Sequence, residues 1–272
     1  MRLVAATVVL LAVPGFAGAT GERIEDNSLL IEEAYNQEPG VVHHISSFQR
    51  SLRTGAWLYA FTEEWPAWGQ DHQVSVTVAL EGNGDGAAPA TGIGDVLLNY
   101  RYELYRHEGT PVVATARLSL LVPTGDERKG LGTGGPGVQV NFPLSLVLGD
   151  HLVTHWNVGG THVPSAWNGS GHGPLTAYAV GQNLIWLAHP RFNVMLEALW
   201  IATEQGAAGG TRRRDSLTVN PGFRWAFDFD GGLQVVWGLG VPLGLGPSRG
   251  DRGFLLYLSF EHPLSARGRA SP

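Results

Sequence analysis

The chain has no cysteine, two methionines and little charge, with 15% of its 272 residues being Asp, Glu, Lys or Arg. The missing thiols exclude a disulfide-stapled fold, thiol catalysis and Cys-ligated zinc or iron–sulfur sites. Soluble domains carry roughly 25% charged residues, so this chain is short of water-facing surface. Long apolar runs are missing as well. Beyond the N-terminus no stretch reaches the roughly 18 consecutive apolar residues that mark a spanning helix. The net charge of −6 gives no electrostatic footprint for nucleic acid. In contrast, 43% of the residues are hydrophobic and 38 are glycine. The first figure supports a packed or lipid-facing structure rather than disorder. The second argues against a helix-rich enzyme, because glycine costs about 1 kcal/mol at a helix-interior position.

Residues 1–19 combine Arg2, an apolar run from Leu3 to Val13 and the small-residue site Ala17-Gly18-Ala19. This is the pattern of a cleaved secretory signal peptide, which implies export. Residues 20–40 differ from everything after them. Glu22, Glu25, Asp26, Glu32, Glu33 and Glu38 face one base, Arg23. They read as an acidic leader or plug, in which Asp26 caps a short helix through Leu29, Leu30, Ala34 and Tyr35.

From Val41 the hydrophobic signal has period 2, the signature of strands. Twelve segments follow, near 41–50, 55–64, 71–81, 93–106, 110–122, 136–148, 150–163, 174–188, 190–204, 215–228, 232–245 and 252–262. One face is bulky and apolar, as in Val138/Val140/Phe142/Leu144 and Val194/Leu196/Ala198/Trp200. The other is small or polar, as in Asp95/Asn99/Arg101/Glu103, Thr115/Arg117/Ser119, His155/Asn157 and Asn220/Arg224. Periodicity alone does not say which face is outside. A cationic side chain facing lipid near the midplane costs roughly 2–4 kcal/mol, a cost that Arg101, Arg117 and Arg224 would each incur. A soluble lipocalin-like barrel would need far more charge on its surface. The polar face is therefore expected inside, and the expected fold is an all-β antiparallel transmembrane barrel of about 12 strands over residues 41–262, with a tail at 263–272.

The connections alternate. Tight turns sit at 106–109, 149–150, 189–190 and 228–231, and longer Gly-rich loops at 82–92, 123–135, 164–173, 205–214 and 246–251. This is the short-periplasmic, long-extracellular pattern of outer-membrane barrels. Trp65, Trp68, Tyr105, Trp186 and Trp225 near the turns, and Trp57 and Trp200 near the loops, fit two interfacial girdles. Asp251-x-Gly253-x-x-Leu256-x-Leu258 ending in Phe260 fits the signal read by the outer-membrane assembly machinery, although the chain runs on to Pro272.

Gly92-Ile-Gly-Asp95-Val-Leu-Leu-Asn-Tyr-Arg-Tyr, Val122-Pro-Thr-Gly-Asp126, Leu131-Gly-Thr-Gly-Gly-Pro-Gly-Val-Gln-Val and Leu146-Val-Leu-Gly-Asp150 resemble a bacterial outer-membrane barrel family associated with the meta-cleavage pathway of phenol degradation. The likeness covers roughly residues 55–262. It implies a transporter-like protein for small aromatic or other hydrophobic solutes and carries over no binding residues. Asp95, Asp126 and Asp150 then read first as turn and strand-start residues.

Catalytic and cofactor signals are weak. Gly130-x-Gly132-x-x-Gly135 precedes strand periodicity rather than the helix a dinucleotide site needs. His43/His44 and His151/His155 lack chelating spacing on a strand, so no metal and no cofactor is expected. Ser165, Ser170, His162 and His172 gather in one Gly-rich loop, and a lipid-active enzyme built on them is the weaker reading. Arg212-Arg213-Arg214, Arg128-Lys129 and Arg249/Arg252 fall on expected extracellular loops, where they would meet lipopolysaccharide phosphates or draw in anions. The sequence thus points to a non-enzymatic channel for passive passage of small solutes, with Asp95, Asn99, Arg101, Glu103, Arg117, His155, Glu197 and Arg224 lining the pore. There the charges would pair across the lumen and sort solutes. A non-conducting structural or surface-binding barrel is the alternative, and a soluble secreted ligand-binding barrel is a further one.

Overall fold

The computed structural model describes residues 24, 28–86, 88–107, 110–207 and 209–263. The segment expected to be a signal peptide, Asp26 and the residues beyond Pro263 lie outside them. The strands are β1 (Val41–Ser51), β2 (Trp57–Pro66), β3 (His72–Gly82), β4 (Thr91–Ile93), β5 (Val96–Arg106), β6 (Val112–Val122) and β7 (Gly137–Val147). They continue with β8 (Leu152–Trp167), β9 (His172–His189), β10 (Phe192–Ala207), β11 (Gly210–Asp228), β12 (Gln234–Gly240), β13 (Leu243–Leu245) and β14 (Gly253–Pro263).

Every pairing is antiparallel, and β1 bonds both β2 and β14, which closes the sheet. β4 pairs with β3 just before β5 does, and β13 pairs with β11 just beyond β12. Each short strand thus extends its neighbour's stave, and the barrel has twelve staves, one for each segment with period 2. Closure leaves no unpaired edge, the condition for a sheet to stand in lipid.

The alternation resolves into inside and outside. Arg224, Glu197, His155, Asn183 and Gln73 are fully enclosed, whereas Leu196, next to Glu197, is 50% exposed and Val158 57%. Polar groups face inward and aliphatic and aromatic groups face outward, the inverse of a water-soluble protein and the arrangement of a membrane barrel. Trp68, Tyr105 and Trp186 stand exposed at the short-turn end.

Two expected loops are strand instead. Residues 164–173 and 205–214 largely extend β8 to β11, which run to 16–19 residues. A membrane crossing needs roughly 9–11, so these staves rise beyond it. The register holds through Thr203↔Arg214, Glu204↔Arg213 and Ala207↔Gly210, where Arg213 Nη1 donates to Glu204 Oε1 at 3.1 Å. Cross-strand charge pairing of this kind stabilises strand where composition alone suggests loop. Arg212-Arg213-Arg214 therefore lie on β11. The Gly130–Gly135 run is also ordered: it follows a 3₁₀ turn, buries Leu131 and leads into β7.

Candidate functional site

The barrel is occupied by its own N-terminal segment. Residues 28–40 form bends, irregular backbone and a turn at Pro39-Gly40 rather than the expected helix. The reason is that their backbone groups bond to the barrel wall instead of to one another. The path is a loop entered from the short-turn end. Asn36 Nδ2 donates to the carbonyls of Gln70 and Asp71 in the β2–β3 turn. The Gln37 N–H reaches Gln73 Oε1 at 2.8 Å. Higher up, the Ala34 N–H donates to Ser145 Oγ at 2.8 Å, while Thr115 Oγ1 donates to the Ala34 carbonyl. The chain then turns back, and the Ile24 carbonyl accepts from Asn193 Nδ2 and Arg224 Nη2 near the short-turn ends of β10 and β11.

Two anchors hold the apex of this loop. At the first, the N–H groups of Leu29, Leu30 and Ile31 converge on Glu197 Oε1 at 3.0, 2.8 and 3.1 Å. Successive amides turned toward one anion make a nest. Glu197 Oε2 also accepts from Asn220 Nδ2 at 2.6 Å. The nearby wall is pared down to glycine. A Cβ on Gly181 would stand 2.4 Å from Ile31 Cδ1, and one on Gly238 would stand 2.9 Å from Leu29 Cδ2. At the second anchor, the Glu32 carboxylate accepts from Arg117 Nε at 2.9 Å and Asn141 Nδ2 at 2.7 Å. Arg101 Nε lies 3.7 Å from the other oxygen of Glu32, and its Nη2 donates to the Glu33 carbonyl. Asn157 closes around the Glu32 backbone, accepting from its N–H and donating to its carbonyl.

The expected pore residues separate into groups. Arg101, Arg117, Glu197 and Arg224 all grip the internal segment. His155 is enclosed, with Nδ1 2.7 Å from Ser145 Oγ and its ring edge-on to Tyr35. Asn99 faces the lumen and bonds Ser75 Oγ and Arg117. Glu103 is buried against Arg106 of its own strand. Asp95 lies outside the group. In the kink between β4 and β5 it accepts from the Gly125 and Thr133 N–H groups and ties down the 123–136 loop. The expected pairing of wall charges with one another across the lumen is therefore not the main arrangement; Arg101, Arg117, Glu197 and Arg224 bond Ile24 and residues 29–33 instead. Glu32, Asn141, Asn157, Asn193 and Asn183, whose Nδ2 donates to Ser28 Oγ at 2.8 Å, also belong to the site, beyond the residues expected from the pattern.

Beside the segment a cavity of about 220 Å³ remains, toward the β1–β6 and β14 side. Its walls include Glu32, Glu33, Ser75, Asn99, Arg101 and Arg117.

The sequence holds one hydrolase-like string, Gly246-Pro247-Ser248-Arg249-Gly250, which matches G-x-S-x-G. It forms a 3₁₀ turn between β13 and β14, where Ser248 Oγ accepts from the Leu217 N–H at 2.9 Å. A nucleophile elbow requires strand–turn–helix, so this serine closes a loop.

No curated protein matches the sequence. Among solved structures the chain is similar to an outer membrane channel of Pseudomonas putida F1, with a TM-score of 0.63 and 15% identity over 84% of this chain and 97% of that one. It is also similar to the NanC porin, at 0.50 and 7% over 80% and 98%. At these identities the likeness is one of fold, the closed outer-membrane barrel. The family model described as "Putative MetA-pathway of phenol degradation" matches residues 46–244, nearly every stave of the barrel, and the chain belongs to that family.

Proposed function

We propose that the protein is an outer-membrane channel for passive passage of small solutes, aromatic or hydrophobic ones included, and that residues 28–40 occlude it in the resting state. The observation that carries this reading is the inverted barrel with a polar lumen, in which a cavity of about 220 Å³ persists beside a segment held by side chains. A wall of hydroxyls, amides and paired charges stays wet, and water is what a diffusing solute needs. On the same reading residues 1–19 are a cleaved export signal, and the β14 pattern is read by the assembly machinery. Exposed bases at the rim, Arg128 and Arg212 among them, would meet lipopolysaccharide phosphates.

The segment itself favours the second reading, a non-conducting structural or surface-binding barrel, because it is bonded at so many points. Planar-bilayer recording and liposome swelling on the refolded mature chain, beside a variant lacking residues 20–40, separate the two. The channel reading expects small, infrequent conductance from the full chain and larger steady conductance from the deletion. A deletion variant that migrates as a folded, heat-modifiable barrel yet passes neither ions nor small solutes would overturn it.

A further inference from the structure

The cations on β5 and β6 face a carboxylate that the chain itself supplies. Arg117 is aimed independently of that carboxylate, since Nη1 donates to Ser119 Oγ at 2.7 Å and to Asn99 Oδ1 at 3.3 Å. Its Nε is left for Glu32, and Asn141 Nδ2 adds a second donor to the same oxygen. Arg101 is 2% exposed. Among the described residues its Nε makes no hydrogen bond and points toward Glu32 from 3.7 Å. Two guanidinium groups and an amide turned on one point make a carboxylate site of the kind arginine favours.

Glu32 does not seal that site. Its side chain keeps 22% exposure, and Glu32, Arg101 and Arg117 all border the cavity. A solute in the cavity therefore meets Glu32 and Arg117, whose side chain is 17% exposed, and meets the more deeply enclosed Arg101 once Glu32 gives way. The remaining walls select among anions. Glu33 and Glu64 border the same space, and like charge opposes a dianion such as phosphate about twice as strongly as a monoanion. A space of about 220 Å³ accommodates a small molecule.

We propose that Arg101, Arg117 and Asn141 form a binding site for the carboxylate of small organic acids, with Glu32 as its resident competitor. A solute carboxylate replaces Glu32 there and so loosens the internal segment, which makes the transported class its own release signal. The inference rests on the channel reading for its purpose and on the site geometry for its chemistry.

The test is amide hydrogen exchange, by mass spectrometry, on the full chain in lipid nanodiscs. Acetate is compared with chloride at equal ionic strength and with uncharged acetamide at equal concentration. Exchange across residues 29–37 is expected to rise at least threefold in acetate and to stay level in the other two. Saturation-transfer NMR on the acetate methyl group reads binding directly. Glu32→Gln should tighten acetate at least threefold by removing the competitor, and Arg117→Met should weaken it at least tenfold. Equal exchange in all three solutions, or equal acceleration by chloride and acetate, overturns the carboxylate site. The wild-type arms decide the matter even where a variant fails to fold. If the deletion variant described above conducts while acetate has no effect, this inference alone fails. If acetate binds and frees the segment but no variant conducts, the channel reading alone fails.

Discussion

The two anchors of the internal segment use opposite chemistry. On the β9–β12 side the wall supplies the anion, Glu197, and the segment supplies three backbone N–H groups. On the β5–β7 side the wall supplies the cations, Arg101 and Arg117, and the segment supplies one side-chain carboxylate. The first anchor reads a backbone shape that many sequences could present, provided their side chains fit against wall glycines. The second reads a single residue, and any soluble carboxylate offers the same group. Holding in place and exchangeability are thus assigned to different sides of one lumen. A barrel plugged only by side-chain ion pairs would open to any competing ion, and one plugged only by backbone bonds would answer to none.

Removing Glu197 should break this division most severely. Glu197→Ala strands three convergent N–H groups and Asn220, and hydrogen bonds to charged groups contribute about 1.5–3 kcal/mol each. Because water compensates once the segment moves, the expected loss of docking is about 3 kcal/mol, roughly a hundredfold in the docking equilibrium. Exchange at the amides of Leu29, Leu30 and Ile31 would report it, together with a rise in open-channel time. Glu197→Gln keeps one acceptor oxygen in place and should fall clearly short of the alanine effect. Equal effects of the two would mean that the charge matters and the shape of the nest does not.

Gly181→Leu attacks the same anchor by volume. The nearest atom to a Cβ there is Ile31 Cδ1, while the next neighbours lie at 3.4 Å or beyond, so the side chain meets the segment before it meets the wall. Overpacking of this kind costs about 1–3 kcal/mol, and the end of Ile31 can bend away. Undocking of roughly tenfold is expected, with the barrel's heat-modifiability unchanged. Pairing Gly181→Leu with Ile31→Ala should restore docking. Failure of that rescue would show that the clash lies in the wall.

Most of the barrel was legible because it is written at period 2. Leu196 and Glu197 are neighbours in sequence and opposites in burial, and the cost of placing Arg101, Arg117 or Arg224 in lipid decided which face is which. Only local pattern and one transfer energy were needed. Where the reading missed, the deciding contact was remote or composition misled. Glu32 meets Arg117 and Asn141 across 85 and 109 residues of chain. An acidic stretch with Leu29, Leu30, Ala34 and Tyr35 at helical spacing looked like a capped helix, since nothing nearby shows that its amides bond to a wall. At the upper ends of β10 and β11 composition suggests loop, because glycine and arginine crowd residues 205–214, although Glu204 opposite Arg213 pairs them. Gly181 and Gly238 were the available hint, since glycine inside a strand often marks close approach of another chain segment.

The smallest effect sharpens the comparison by supplying an exposed counterpart to the Glu32 anchor. Asp126 and Lys129 pair at 2.8 Å in the long loop after β6, and the hydrogen bond from Lys129, with its charge, holds the Asp126 carboxyl below its ordinary range. A depressed carboxyl contributes stability above its unfolded value, near 3.9, and that contribution is lost as pH falls through the lower folded value. Loop protection at the Lys129 and Gly130 amides should therefore decline only below about pH 4, by about twofold or less, since exposed pairs contribute little. Raising sodium chloride from 0.1 to 1 M shortens the Debye length from about 10 to 3 Å. It should weaken this pair and leave exchange across residues 29–37 nearly unchanged, because Glu32, Arg101 and Arg117 are largely enclosed, with side chains 22%, 3% and 17% exposed. A comparable response of the two segments to salt would mean that the lumen anchor is screened like a surface pair, and the contrast between the two anchors would then reduce to the backbone nest at Glu197.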